Sequence, residues 1–174
     1  DPRFDAMEAD LAELDALVGE LLGMAKLGQD GSLTLAPFPL RAMLADCAER
    51  LDYPCTLDLT AAPDSIDGDQ RLLARALDNV LRNARKYAQS RIIVTARLDG
   101  NQVEIAVDDD GPGIPEHERQ HIFEPFYRLD RSRDRATGGF GLGLAIAKKA
   151  VKLHGGSIRA EASALHGARF VISL

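Results

Sequence analysis

Two asparagines four residues apart, an aspartate run opening onto Gly-Pro-Gly, and glycines at alternate positions are the parts of this chain whose types and spacing suit chemistry. The asparagines, Asn79 and Asn83, lie in DNVLRNARKY (78–87), where Leu73, Ala76, Leu77, Val80, Leu81 and Ala84 recur with a helical period. At i and i+4 the two carboxamides share one helix face. Asparagine is a poor helix former, so a stacked pair implies a use. A carboxamide oxygen is a hard ligand suited to Mg2+, which takes few protein ligands and keeps its waters. Lys86 on the same helix suits a phosphate. The plainer alternative is a solvated polar stripe.

DDDGPGIP (108–115) follows a strand-like run. Aspartates at a strand end, followed by Gly-Pro-Gly, make a tight turn whose backbone can approach a flat ligand. A buried carboxylate there would accept from an amino group; an ordinary acidic turn is the alternative. In TGGFGLGLAI (137–146), Gly139, Gly141 and Gly143 run straight into a helical pattern. No Lys-Ser or Lys-Thr follows, so the segment is not a P-loop. Leu144 stands where a dinucleotide fingerprint has its third glycine. Taken alone, this run is either a nucleotide loop or only a flexible hinge before a helix.

The elements that position these residues follow from periodicity. Residues 3–27 read as one long helix: Phe4, Met7, Leu11, Leu14, Val18, Leu21 and Ala25 step by threes and fours, a sustained a/d seam that wants a partner helix. GQDGS (28–32) ends it. An extended piece at 33–35, two prolines, a helix over 40–51 and a strand over 55–60 come next. Asp69 reads as the N-cap of a helix over 70–88. Strands 91–98 and 102–107 flank Asp-Gly-Asn as a hairpin. After the polar tract 108–141 come a helix over 142–153, a strand over 157–162 and a strand over 168–173. Helices interleaved with hairpins predict an α+β fold, a mixed sheet with helices on one face, preceded by the long N-terminal helix. The expected division is 1–30 and 33–174.

The chain has 174 residues, 45% of them apolar and 28% charged, values ordinary for a globular protein. A net charge of −6 argues against a nucleic-acid binder. No apolar run is long enough to span a bilayer. Cys47 falls on an apolar helical stripe and Cys55 opens a strand, which reads as two small thiols in a reducing compartment. Beginning at Asp1 in mid-pattern, the chain reads as a piece of something longer.

In this order the segments resemble the ATP-binding domain of sensor histidine kinases, part of the group that includes gyrase, Hsp90 and MutL. NVLRNARKY resembles the family's N box, DDDGPGI its G1 box, IFEPFYRLD (122–130) its F box and GGFGLGLAI its G2 box. HGGSI (154–158) and GARFVISL (167–174) resemble the glycine turn and closing strand beyond. The resemblance covers about 33–174 and implies a two-layer α/β sandwich, while residues 3–27 resemble the second helix of the dimerisation hairpin.

The resemblance also implies ATP and Mg2+ as cofactors. It makes Asp109 the adenine reader, Gly111, Gly113 and Ile114 its turn, Asn83 the Mg2+ ligand, and Lys86 and Tyr87 neighbours of phosphate and adenine. Asn79 falls where the group's ATPases carry a catalytic Glu, and an amide cannot serve as that base, which fits a kinase. Gly139, Gly141, Leu142, Gly143 and Leu144 become the hinge and phosphate end of a lid. Arg128, Arg131, Arg133 and Arg135 suit phosphate contacts, partly offset by Asp130 and Asp134. The implied activity is that of a protein-histidine kinase, passing phosphate to a histidine and onward to an aspartate of a response regulator. The implied setting is the cytoplasmic part of a homodimeric bacterial inner-membrane sensor.

None of the four histidines, His117, His121, His154 and His166, has the family's acceptor context H-E-x-x-[ST/R]-x-P. The acceptor is therefore expected on a helix outside this chain. Three rival readings remain. HERQH (117–121) matches the zinc-peptidase pattern H-E-x-x-H, but only about two helical turns fit between Gly-Pro-Gly and Phe-Glu-Pro-Phe. A binding module that has lost ATP would not need intact boxes. A serine-directed kinase of the same group is disfavoured by the seam helix and the F box.

Overall fold

The computed structural model describes residues 1–29, 33–129 and 139–174. The chain divides into two compact units, Asp1–Ser32 and Leu33–Leu174. The first holds helix α1 (Pro2–Lys26), opened by Pro2 and by Asp1, whose carboxylate accepts from the Arg3 amide at 3.1 Å. Phe4, Met7, Leu11, Leu14, Val18 and Leu21, the expected seam, are all exposed.

The second unit runs β1 (Ala36–Pro39), α2 (Leu40–Leu51), β2 (Cys55–Asp58), β3 (Ser65–Gly68), α3 (Gln70–Tyr87), β4 (Ile92–Asp99) and β5 (Gln102–Asp109). Two short 3-10 turns follow at Glu116–Glu118 and His121–Phe123, then α4 (Gly143–Leu153), β6 (Ser157–Ala162) and β7 (Ala168–Ser173). Five strands form one sheet in the order β2-β4-β5-β7-β6; β2 is parallel to β4 and the other pairs are antiparallel. The architecture is the expected mixed sheet with helices.

Period-two patterning explains the layers. Val103, Ile105 and Val107 of β5 join Ile92, Val94 and Ala96 of β4 and Phe170 and Ile172 of β7 in the core. Against them pack Leu40, Met43, Leu44 and Cys47 of α2, Leu73, Leu77, Val80 and Leu81 of α3, and Ala147, Ala150 and Val151 of α4. The alternate residues carry an ionic ladder across the other face. Arg97 and Arg159 both pair with Glu104 (2.8 and 3.1 Å), Arg159 also pairs with Glu161, and Arg169 pairs with Asp108 at 2.7 Å.

One element differs from the sequence reading. The extended piece expected at 33–35 is instead strand β1 at 36–39, paired antiparallel with β3, a strand with no sequence signal. Two of the four residues of β1 are prolines, and β3 contains Asp and Gly, so neither carries the β-branched alternation that marks a strand. Tertiary packing makes this ribbon: Phe38 is buried, and the Leu40 amide donates to the Asp64 carbonyl at 3.1 Å.

Candidate functional site

The C-terminal end of α3 and the end of β5 meet at Asp109. Its side chain is buried, at 1% exposure, and Oδ1 accepts from the Gly111 amide at 2.9 Å and the Ala168 amide at 3.2 Å. Both bonds fall on one oxygen, so among the described residues Oδ2 has no such partner. Burial pushes the Asp109 carboxyl above the ordinary carboxylate range, and the two amides pull part of the way back.

The glycines around it are required by close approach. A Cβ at Gly111 would stand 2.5 Å from the Tyr87 carbonyl oxygen and 3.0 Å from Asp109 Oδ1. Gly113 has φ +76° and packs on the Gly167 carbonyl. A Cβ at Gly167 would overlap both the main-chain oxygen and Oδ1 of Asp109. Sequence reasoning missed Gly167 as a site residue; a glycine immediately before the closing strand was the available signal. It also missed Asp110, whose carboxylate accepts from the Gln89, Ser90 and Arg91 amides at 2.8, 3.0 and 3.1 Å and so fixes the passage from α3 into β4. Those amides, with the Ser90 hydroxyl, hold the Asp110 carboxyl well below its usual range.

Along α3 the expected residues share one side. Tyr87 ends the helix, and the Lys86 ammonium lies 5.3 Å from its ring centroid. Asn83 is half-buried. Asn79 is buried: Nδ2 donates to the Arg75 carbonyl at 3.1 Å, and Oδ1 accepts from the Arg82 guanidinium. The reading of this pair as a solvated stripe therefore fails at Asn79. The start of α3 is tied down from afar. Asp69 caps Leu72, and the His154 ring takes the Asp69 amide on Nε2 at 2.9 Å while Nδ1 lies 2.7 Å from the Ala150 carbonyl. These two partners require the neutral tautomer with the proton on Nδ1.

The three alternate glycines have three different reasons. Gly139 has φ +109°, and among the described residues nothing lies within 4 Å of a Cβ placed there. Gly141 has φ +73°, and a Cβ there would stand 2.9 Å from the Tyr127 carbonyl oxygen; its own carbonyl accepts from the Phe126 amide at 3.0 Å. Gly143 opens α4, and a Cβ there would stand 3.3 Å from Asn79 Oδ1. The two boxes thus touch at Gly143. Among the described residues no side chain caps α4, which leaves its first-turn amides uncapped by them.

Leu142 is buried, while Leu144 and Ile114 are half-buried and pack against the core. Arg128 is half-buried. Arg131, Arg133, Arg135, Asp130 and Asp134 lie outside the described residues.

The H-E-x-x-H match has no helix to work on. His117 sits in one 3-10 turn beside Glu118 (3.4 Å), and His121 in the next, 3.0 Å from Glu124 and stacked on Tyr127. Two histidines at i and i+4 on one α-helical face do not exist here, and among the described residues no three His, Cys, Asp or Glu side chains group as metal ligands.

Comparison with known proteins accords with this geometry. A family model described as histidine kinase-, DNA gyrase B-, and HSP90-like ATPase matches residues 68–174. Sensor protein RstB of Escherichia coli K12 is 42% identical over 97% of this chain and 40% of its own length. Sensor histidine kinase CpxA of the same strain is 36% identical over 99% of this chain and 39% of its own. The crystal structure of full-length ShkA in complex with AMPPNP aligns with a TM-score of 0.77 at 30% identity, covering 92% of this chain and 35% of that one. The chain thus spans about 40% of the length of the curated relatives it matches.

Proposed function

The chain belongs to the histidine kinase-, DNA gyrase B- and HSP90-like ATPase family, and from that premise we propose that it is the ATP-binding part of a two-component sensor histidine kinase. The observation that carries the reading is Asp109: a buried carboxylate with one oxygen consumed by the fold and the other without a partner among the described residues, at a turn whose glycines admit a flat base. An acceptor-only group matches the 6-amino group of adenine.

The residues along α3 suit the rest of a nucleotide. Tyr87 and Lys86 stand at the base end, and Asn83 offers a carboxamide oxygen to Mg2+ one turn back. The uncapped start of α4 beside Asn79 favours anions. Gly139 and Gly141 serve as the hinge, with Arg128 toward the phosphates. Mg2+ would screen the triphosphate charge and orient the terminal phosphoryl group. What this chain contributes is position: the base is fixed by Asp109, the phosphates are laid along α3, and the carboxamide of Asn79 has no basic group with which to activate water. Phosphate is thereby kept for an acceptor histidine on another helix and, from there, an aspartate of a response regulator. The exposed seam of α1 is the second helix of a dimerisation hairpin, joining two copies in a cytoplasmic, membrane-linked sensor.

Calorimetric titration tests the metal assignment. Asn83→Ala should weaken Mg2+-ATP at least about tenfold, as expected for loss of a bond to a charged partner, with the thermal midpoint little changed. Equal affinity in a folded Asn83→Ala protein would remove Asn83 from the site.

A further inference from the structure

Arg82 is an exposed residue to which the site described above gives no role beyond its bond to Asn79. On the described residues its one bond goes to Oδ1 of Asn79, a side chain that is itself buried and fixed at its other end by the Arg75 carbonyl. That same oxygen lies against Gly143, the first residue of α4. A single buried carboxamide therefore holds a guanidinium beside the uncapped start of a helix. Both are positive, and side by side they repel unless an anion lies close to both.

Helix geometry says which anion. The base end of the site is fixed at Tyr87, whose carbonyl abuts the Gly111 turn beside Asp109. Eight residues separate Tyr87 from Asn79, which at 1.5 Å per residue is about 12 Å, about the distance from the base of a nucleoside triphosphate across its sugar to the terminal phosphate. Asn83 falls midway, where its carboxamide oxygen would hold the metal. The Asn79–Arg82 pair is thus at the end of the run farthest from the base. A guanidinium has five N–H donors in a planar fork, and one of them is spent on Asn79. The rest suit the oxygens of a terminal phosphate better than a point charge does.

We propose that Arg82 reads the terminal phosphate and so sets the preference of the domain for ATP over ADP, with Asn79 as the positioning residue that holds the guanidinium; this rests on the nucleotide reading above. Arg82 meets an anion that is present in ATP and absent from ADP, so its contribution appears only with the triphosphate.

The test is calorimetric titration of Mg2+-ATP and Mg2+-ADP into the wild-type chain and into Arg82→Ala, Arg82→Lys and Asn79→Ala, with thermal unfolding of each. Arg82→Ala should weaken ATP about tenfold or more, the loss of a charge-assisted contact, and leave ADP within about twofold, well below one decade. Arg82→Lys should recover part of the loss. Asn79→Ala should lower the ATP-to-ADP ratio less than Arg82→Ala does, and add little in the double variant, because the two act as one unit. A surface staple would change stability and leave the ratio untouched. An unchanged ATP-to-ADP ratio in Arg82→Ala overturns the proposal while ADP binding still supports the nucleotide site. A wild-type chain that binds neither nucleotide overturns both.

Discussion

Replacing Asp109 by Asn separates what the carboxylate does for the ligand from what it costs the fold. The new side-chain carbonyl can take the place of Oδ1 and keep both the Gly111 and Ala168 amides. The amide nitrogen then stands where Oδ2 was, presenting donors to a base whose 6-amino group is also a donor. A hydrogen bond to a charged group is worth about 1.5–3 kcal/mol. At about 1.4 kcal/mol per decade, ATP should therefore weaken some ten- to a hundredfold. Guanine presents a carbonyl at that position, so GTP should lose little or gain, and the ATP-over-GTP preference should shrink or reverse. Stability moves the other way. The folded carboxyl is held above the unfolded value of about 3.9, so the native state binds its proton more tightly and ionised Asp109 weighs against folding. That cost is absent below about pH 4 and complete once the pH exceeds the folded value. The Asp109→Asn variant should be at least as stable as wild type at pH 7, and its advantage should vanish as the pH falls toward about 4. Calorimetric titration with both nucleotides and urea unfolding at several pH values check both halves. An Asp109→Asn protein that keeps the full ATP preference refutes the base-reading role, and one that is markedly less stable at pH 7 refutes the electrostatic argument.

The alternate glycines predict unequal costs. Among the described residues Gly139→Ala meets only an unfavourable φ in open space and should cost about 1–3 kcal/mol, whereas Gly141→Ala adds overlap with the main chain of Phe126 and Tyr127 and should cost clearly more by urea unfolding. Equal losses would show that the approach at Gly141 relaxes freely. The uncovered seam of α1 should drive weak self-association that rises with concentration in sedimentation experiments and is lost in Leu14→Lys. A strict monomer at high concentration, unchanged by that substitution, would sink the dimer reading.

The helices were legible because their packing is written in local spacing: Leu40, Met43, Leu44, Cys47 and Leu51 lie on one stripe, and all are buried. The β4–β5 hairpin was equally plain, with Gly100 taking the positive φ its turn requires. The β1–β3 ribbon was not, since two prolines, an aspartate and a glycine become strands only through pairing across about thirty residues of chain. In the site, residue types were readable but their partners were not. Nothing local to Gly167 says that Asp109 presses against it from β5, and nothing near Asp69 says that the ring of His154 takes its amide. The burial of Asn79 follows from α4 arriving through Gly143, a tertiary event that the i, i+4 spacing alone leaves open. The H-E-x-x-H match failed for the converse reason: its pattern needs a helix, and the chain there makes two separate 3-10 turns.

The proposed function has this chain hold ATP and deliver its terminal phosphate to a histidine elsewhere. The most direct measurement incubates the chain with Mg2+ and ATP labelled on the γ-phosphate, with and without a separately produced dimerisation segment carrying the acceptor helix. Label is expected on that segment, stable in base and lost in acid, and none on the chain alone, whose four histidines are His117, His121, His154 and His166. Acid-labile label on the chain by itself, or phosphate released to water with the added segment left unlabelled, would contradict it.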